Sequence, residues 1–281
     1  MPSRLLIPLD GAPQAESALE CAIKMTRRDQ SGLALVAVVA AGRVAEEVAV
    51  RRRQAANYLQ NIRGKFELPA CAEATVRIGD PAAEILSEAR DSGADLILMP
   101  DRSDGGRPSG DLGRVTSRIL LGSPTPVLIV RRDHATADAD HNVIVMLDGS
   151  RLAEEALRPA AELAARCSGR LTLVTVLARA SGQFGDTPAR WSATDLDAEL
   201  ALRYLERLAE PLAAKDLPVA VDVVTDEVAA FLRHISRPSS TILVLTTRGA
   251  SGFSRWVMGG VADLAARSAT AATMVVPPRM T

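Results

Sequence analysis

Runs of consecutive apolar residues alternate along this chain with segments whose apolar positions recur every three or four residues. In the first half the runs predict strands near 4–9, 33–40, 72–78, 95–100 and 126–131, and the periodic segments predict helices over 13–28, 44–64, 81–92 and 112–121. In the second half strands are expected near 142–148, 170–177, 219–225, 241–246 and 273–277. The spacing of Leu152, Ala156, Leu157, Ala160, Leu163 and Ala164 predicts a helix after the first of these. Unbroken runs such as Leu96–Met99 and Ile242–Leu245 suit strands buried on both faces, the habit of parallel sheets. Strand and helix in alternation, joined by right-handed crossovers, predict an α/β protein of two tandem doubly wound parallel five-stranded sheets, a Rossmann-like sandwich.

The duplication is visible in the residues. Arg4–Gly11 (RLLIPLDG) recurs as Asn142–Gly149 (NVIVMLDG), 138 residues later. Ala94–Met99 has its echo in Thr241–Leu245, and Thr125–Val130 in Thr273–Pro277. A period near 140 residues means two whole domains rather than a solenoid of small units. The polar stretch between the halves sets the expected organisation: a first domain over 1–133, a linker over 134–140 and a second domain over 141–281. Ala178–Ala193, rich in Gly, Ser and Pro, reads as a long strand-to-helix connection.

Composition narrows the function. Lys plus Arg number 33 against 34 for Asp plus Glu, so no basic excess exists to bind a phosphate backbone, and nucleic acid is not an expected partner. Cys21, Cys71 and Cys167 are scattered and odd in number, which suits a reducing cytosol rather than a disulfide framework. No apolar run approaches a membrane span, and the N-terminus lacks the pattern of a signal peptide, so a cytoplasmic location is expected. His134, His141 and His234 have no metal-ligand spacing; no metal site and no catalytic residue are expected. Cys21 and Cys167 read as helical core positions, and Arg51–Arg53 as a solvated helix face. Trp256 and Phe253 flank a glycine-rich loop, where packing and base stacking are both open to them.

In open parallel sheets, ligands collect at strand carboxyl ends beside the topological switch point. Two loops per half reach that place. The first carries Asp10-Gly11 or Asp148-Gly149; its Asp can meet a ribose hydroxyl or hold Mg²⁺ through water, or can cap the next helix, and both readings stand. The second follows the fourth strand and, in the second half, runs from Thr246 through Gly249 to Gly259 and Gly260. Glycines there let amides approach an anion ahead of a helix N-terminus.

These motifs, in this order in both halves, resemble the universal stress protein family, and the resemblance covers nearly the whole chain as a tandem pair. It implies an adenine nucleotide alpha hydrolase-like fold and a non-catalytic stress-response role, with ATP or another adenine nucleotide as a regulatory ligand, Mg²⁺ accompanying it. The family's nucleotide loop carries over to Thr246, Gly249, Gly259 and Gly260; its acidic residue to Asp148, with Gly149; and its apolar adenine contact to Val176. Two of three loop glycines stand, and Gly260 replaces the usual hydroxyl residue. Thr225-Asp226-Glu227 falls where the family has Gly-x-Pro. The first half keeps Asp10, Val38 and Gly79, but its loop lands on Pro100, Ser103, Gly113 and Arg114, one glycine of three. Pro100 has no N–H to offer, and Arg114 could grip a phosphate or fill the pocket. The insert Asp104–Gly110 could supply substitute amides. The second half is therefore the expected site. The alternative is a nucleotide-independent scaffold acting as a homodimer on unknown protein partners through exposed final strands, Pro126–Val130 and Met274–Val276. A third reading puts an apolar ligand in the first-half pocket.

Overall fold

The computed structural model describes residues 4–29, 31–101, 112–131, 141–177, 195–214, 216–235, 240–247, 260–268 and 271–278. Two compact units emerge, one holding the first five strands and the other the last five.

In the first unit the order is β1 (Arg4–Pro8), α1 (Pro13–Asp29), β2 (Gly32–Val39), α2 (Ala45–Lys65), β3 (Glu73–Ile78), α3 (Pro81–Asp91), β4 (Leu96–Pro100), α4 (Arg114–Gly122) and β5 (Val127–Val130). Its strands lie β3-β2-β1-β4-β5 and all pairings are parallel, with Leu5 opposite Leu33 on one side and Leu96 on the other. Leu5, Leu6, Ile7, Leu35, Ile97, Leu98, Leu128 and Ile129 are shut off from water, as a sheet covered on both faces requires.

The second unit repeats the plan: β6 (Asn142–Met146), α5 (Arg151–Glu154), α6 (Leu157–Arg166), β7 (Arg170–Leu177), α7 (Asp195–Ala213), β8 (Val219–Thr225), α8 (Val228–Ile235), β9 (Thr241–Thr246), α9 (Gly260–Ser268) and β10 (Ala272–Val276). The order β8-β7-β6-β9-β10 is again wholly parallel. One core cluster gathers Ile144, Val174, Leu243 and Leu245 of the sheet under Phe231, Leu232, Ala262 and Ala265 of α8 and α9.

The helix predicted after Asp148 is two pieces. Pro159 has no N–H for the Glu155 carbonyl and its ring crowds that oxygen. The chain instead makes tighter bonds, Glu155 N–H to the Leu152 carbonyl and Ala156 N–H to that of Ala153. α5 is thus a single turn set apart from α6.

In both units the chain moves outward from the first strand to one side and then jumps to the other. The switch point lies between β1 and β4, and between β6 and β9, and the loops beyond those strands form the candidate sites.

Candidate functional site

The strand-one loop is built alike in both units. Leu9 N–H donates to the Val36 carbonyl at 2.8 Å, as Leu147 does to Val174 at 2.8 Å, so each Asp is the first residue released from the sheet. Gly11 (φ 86°) and Gly149 (φ 79°) then turn in the left-handed region that glycine tolerates. The Asp side chain closes the turn: Asp10 Oδ1 accepts from Ala12 N–H at 3.0 Å, and Asp148 Oδ1 from Ser150 N–H at 3.0 Å.

The second unit adds a layer. Ser150 Oγ donates to Asp148 Oδ1 at 2.6 Å and accepts from Ala153 N–H at 3.1 Å, so Ser150, not Asp148, caps α5. Ala12 stands at the Ser150 position and does neither. Asp148 is half-buried and Gly149 buried, whereas Asp10 and Gly11 are exposed.

Val38 and Val176 occupy matched, half-buried places near the ends of β2 and β7, and Val176 packs on the second unit's core cluster. Beside them, Gly79 N–H donates to the Val39 carbonyl at 3.0 Å, and Asp226 N–H to that of Leu177 at 3.2 Å. The residues equivalent to Gly79-Asp80-Pro81 are therefore Asp226-Glu227-Val228, one position beyond the Thr225-Asp226-Glu227 expected from sequence. Gly79 is tightly placed, since a Cβ there would lie 2.7 Å from Glu84 Oε1.

At the other loop the units diverge. Thr246 ends β9 and is buried, with Thr247 N–H bonded to the Val276 carbonyl at 3.0 Å. In the first unit Pro100 ends β4, and Asp101 N–H takes the Val130 carbonyl at 2.9 Å. Asp101 and Arg131 are both buried there and form an ion pair that sequence reasoning did not foresee; Thr247 and Pro277 stand at the matching places. Both loops re-enter the described residues at a helix N-terminus. Gly113 (φ 72°) precedes α4, whose first residue, Arg114, is exposed. α9 opens directly on Gly260, which is exposed and has nothing among the described residues within 4 Å of where a Cβ would sit. Gly249, Gly259, Ser103, Phe253, Trp256, His134, the 134–140 linker, the Asp104–Gly110 insert and the Ala178–Ala193 connection lie outside the described residues.

Two further residues at the site escaped the sequence reading. The chain has two tyrosines, and each hydroxyl is buried beside a strand-one loop: Tyr58 of α2 near Glu16, Asp10 and the Gly11 amide, Tyr204 of α7 near Glu154 and Asp148. Burial first, then the neighbouring carboxylates, push Tyr58 up to about 12 and Tyr204 up as well, so both stay protonated. The available signal was position: both follow the duplicated Asp on the helix after the second strand.

Elsewhere the expectations fared unevenly. Cys21 is buried in α1, and Cys167 is buried just past the end of α6 rather than within it. Arg51–Arg53 and His234 are exposed. His141, expected to be solvated, is half-buried with Nδ1 3.3 Å from the Ser240 carbonyl. β5 and β10 stand last in the strand orders of their units, and every residue of both is buried, with α1 and α9 packed on them. Among the described residues no cluster of His, Cys, Asp or Glu could hold a metal, and no helix is long and apolar enough to cross a membrane.

Two doubly wound parallel units, each with an Asp-Gly turn at its switch point, define a duplicated α/β protein. The sequence pattern of the family described as "Universal stress protein family" matches residues 1–131 and again 141–277, and the chain belongs to that family. Universal stress protein YxiE of Bacillus subtilis (strain 168) is 28% identical over 146 residues, which is 46% of this chain and 99% of that protein. A universal stress protein from Archaeoglobus fulgidus DSM 4304 superposes with a TM-score of 0.74 at 19% identity, covering 98% of each chain. A functionally unknown protein from Pseudomonas aeruginosa PAO1 gives 0.68 at 15% identity over 98% of this chain and 92% of its own. At those identities the two structural likenesses are of fold alone. Membership in the family supports a stress-response role.

Proposed function

We propose that this is a non-catalytic cytoplasmic stress-response protein whose second unit binds ATP or another adenine nucleotide as a regulatory signal. The observation that carries the reading is the contrast at the two helix N-termini beyond the fourth strands. α9 opens on a glycine that is exposed among the described residues, after a strand that ends in Thr246. α4 opens on Arg114, after a strand that ends in Pro100 and a buried carboxylate, Asp101. An anion is favoured by amides at a helix start and disfavoured where a proline leaves no N–H, while the Asp101 charge is met by Arg131.

In the second unit Asp148 and Gly149 face the ribose, Val176 the adenine, and the amides of Thr246, Gly249, Gly259 and Gly260 the phosphates. Mg²⁺ would be carried by the phosphates and by water on Asp148, because the described residues offer no metal cluster of their own. Val38 and Gly79 keep their places in the first unit, but its polyphosphate end does not fit. Calorimetry on nucleotide-stripped protein tests this: Asp148→Ala and Gly249→Glu should each weaken ATP binding at least tenfold. If Gly249→Glu binds ATP as well as wild type does, the site is misplaced. If wild type shows no binding heat at several temperatures, the nucleotide-independent scaffold, a homodimer acting on other proteins, replaces it.

A further inference from the structure

Asp148 stands at the end of a series of donors that begins in the protein interior. Ala153 of α5 is buried, and α5 lies against β9, the strand that ends in Thr246. The Ala153 N–H donates to Ser150 Oγ at 3.1 Å, and that hydroxyl gives its one proton to Asp148 Oδ1 at 2.6 Å. The Ser150 N–H reaches the same oxygen at 3.0 Å. Bonds in series polarise one another, and the last of these ends on a carboxylate, where hydrogen bonds are strongest. A single donor lets a carboxylate swing about its bond to Cβ; a second, arriving at the same oxygen from another direction, restricts that swing.

The first unit has the turn without the relay. Ala12 stands where Ser150 does and has no hydroxyl, and the Ala15 N–H, counterpart of Ala153, turns to the Ala12 carbonyl at 3.0 Å. Asp10 Oδ1 takes the Ala12 N–H at 3.0 Å, and Asp10 and Gly11 are exposed, where Asp148 is half-buried and Gly149 buried. The helix start is met in both units, so capping alone does not call for a hydroxyl here. What the hydroxyl adds is its bond to the carboxylate.

We infer that Ser150 is a positioning residue of the nucleotide site: its hydroxyl relays the buried Ala153 amide to Asp148 and sets that carboxylate to receive a ribose hydroxyl. This rests on the reading of Asp148 as the ribose contact, and adds to it the residue that gives the contact its geometry.

The test uses the full chain with Ser150→Ala, Ser150→Thr, Asp148→Ala and the double variant Asp148→Ala/Ser150→Ala, titrated by calorimetry. Ser150→Ala should weaken ATP binding about three- to tenfold, the cost of one hydrogen bond. Its affinity for 2′,3′-dideoxy-ATP, which has no ribose hydroxyl to meet Asp148, should stay at the wild-type value. A hydroxyl that only capped α5 would, once removed, affect both nucleotides alike. Ser150→Thr keeps the hydroxyl and should bind ATP as wild type does. In the Asp148→Ala background Ser150→Ala should cost nothing further, because it acts through that carboxylate. Hydrogen exchange of the residue-150 amide, read without ligand, reports whether Asp148 Oδ1 stays in place. Its protection should fall by about threefold or more in Ser150→Ala and hold in Ser150→Thr. Equal losses for the two nucleotides, additive losses in the double variant, or wild-type protection of that amide in Ser150→Ala overturn the inference. Wild-type protein that binds neither nucleotide sinks the proposed function instead, and the residue-150 amide still decides whether the hydroxyl sets the carboxylate.

Discussion

Gly169, between α6 and β7, shows how closely single residues are constrained. The His141 carbonyl accepts from Arg170 N–H at 3.0 Å, and a Cβ on Gly169 would lie 2.1 Å from that same oxygen. Since the obstacle is backbone, Gly169→Ala must push β6 and β7 apart where they begin, and should cost at least about 2 kcal/mol in urea denaturation. Gly64 in α2 is the counter-case. Nothing stands within 4 Å of its missing Cβ, so Gly64→Ala should gain about 0.5–1 kcal/mol from helix propensity. Equal stabilities for the two variants would contradict both readings. Neither glycine's role was legible in the sequence, because a close backbone approach leaves no mark on the residues that make it.

Among the elements, α3 and α4 are joined by a device that pH can dissect. Asp80 Oδ1 caps α3 by accepting from Ala83 N–H at 3.1 Å, and its Oδ2 accepts from Arg118 of α4 at 2.6 Å. The Arg118 guanidinium first, and the Ala83 amide second, hold the Asp80 carboxyl below the usual carboxylate range. A lowered folded value means the contribution is present above the unfolded pKa of about 3.9 and is lost as pH falls through the folded one. Asp80→Asn, which keeps a capping oxygen, should therefore melt below wild type at pH 7, with the gap closing under pH 4 and shrinking in salt. A gap independent of pH would mean the charge contributes nothing.

Strand and helix positions in the first unit were readable to within about two residues, because apolar runs and helical periodicity are local signals. The break between α5 and α6 was not read, although Pro159 was in plain view: Leu157, Ala160, Leu163 and Ala164 kept the helical spacing across it. The one-residue shift to Asp226-Glu227-Val228 became visible only when the matching backbone bonds of Gly79 and Asp226 fixed the register.

Across the whole molecule, duplication has been followed by divergence at one end of each site. The turn of the first strand and the apolar ends of β2 and β7 are kept in both units, and those residues could be named from sequence because the repeat itself marks them. The Asp101–Arg131 pair and the two tyrosines could not. Asp101 and Arg131 are 30 residues apart, and each tyrosine stands about 50 residues from the carboxylates near it, beyond any local pattern. Under the proposed function the labour is unequal: the second unit takes a polyphosphate, and the first does not, because Pro100 has no N–H to offer it. The stoichiometry of ATP with Mg²⁺ on stripped protein, read by titration calorimetry, tests that division most directly. One site per chain, abolished by Gly249→Glu and untouched by Arg114→Gly, is the predicted result; two sites per chain, or one that survives Gly249→Glu, would contradict it.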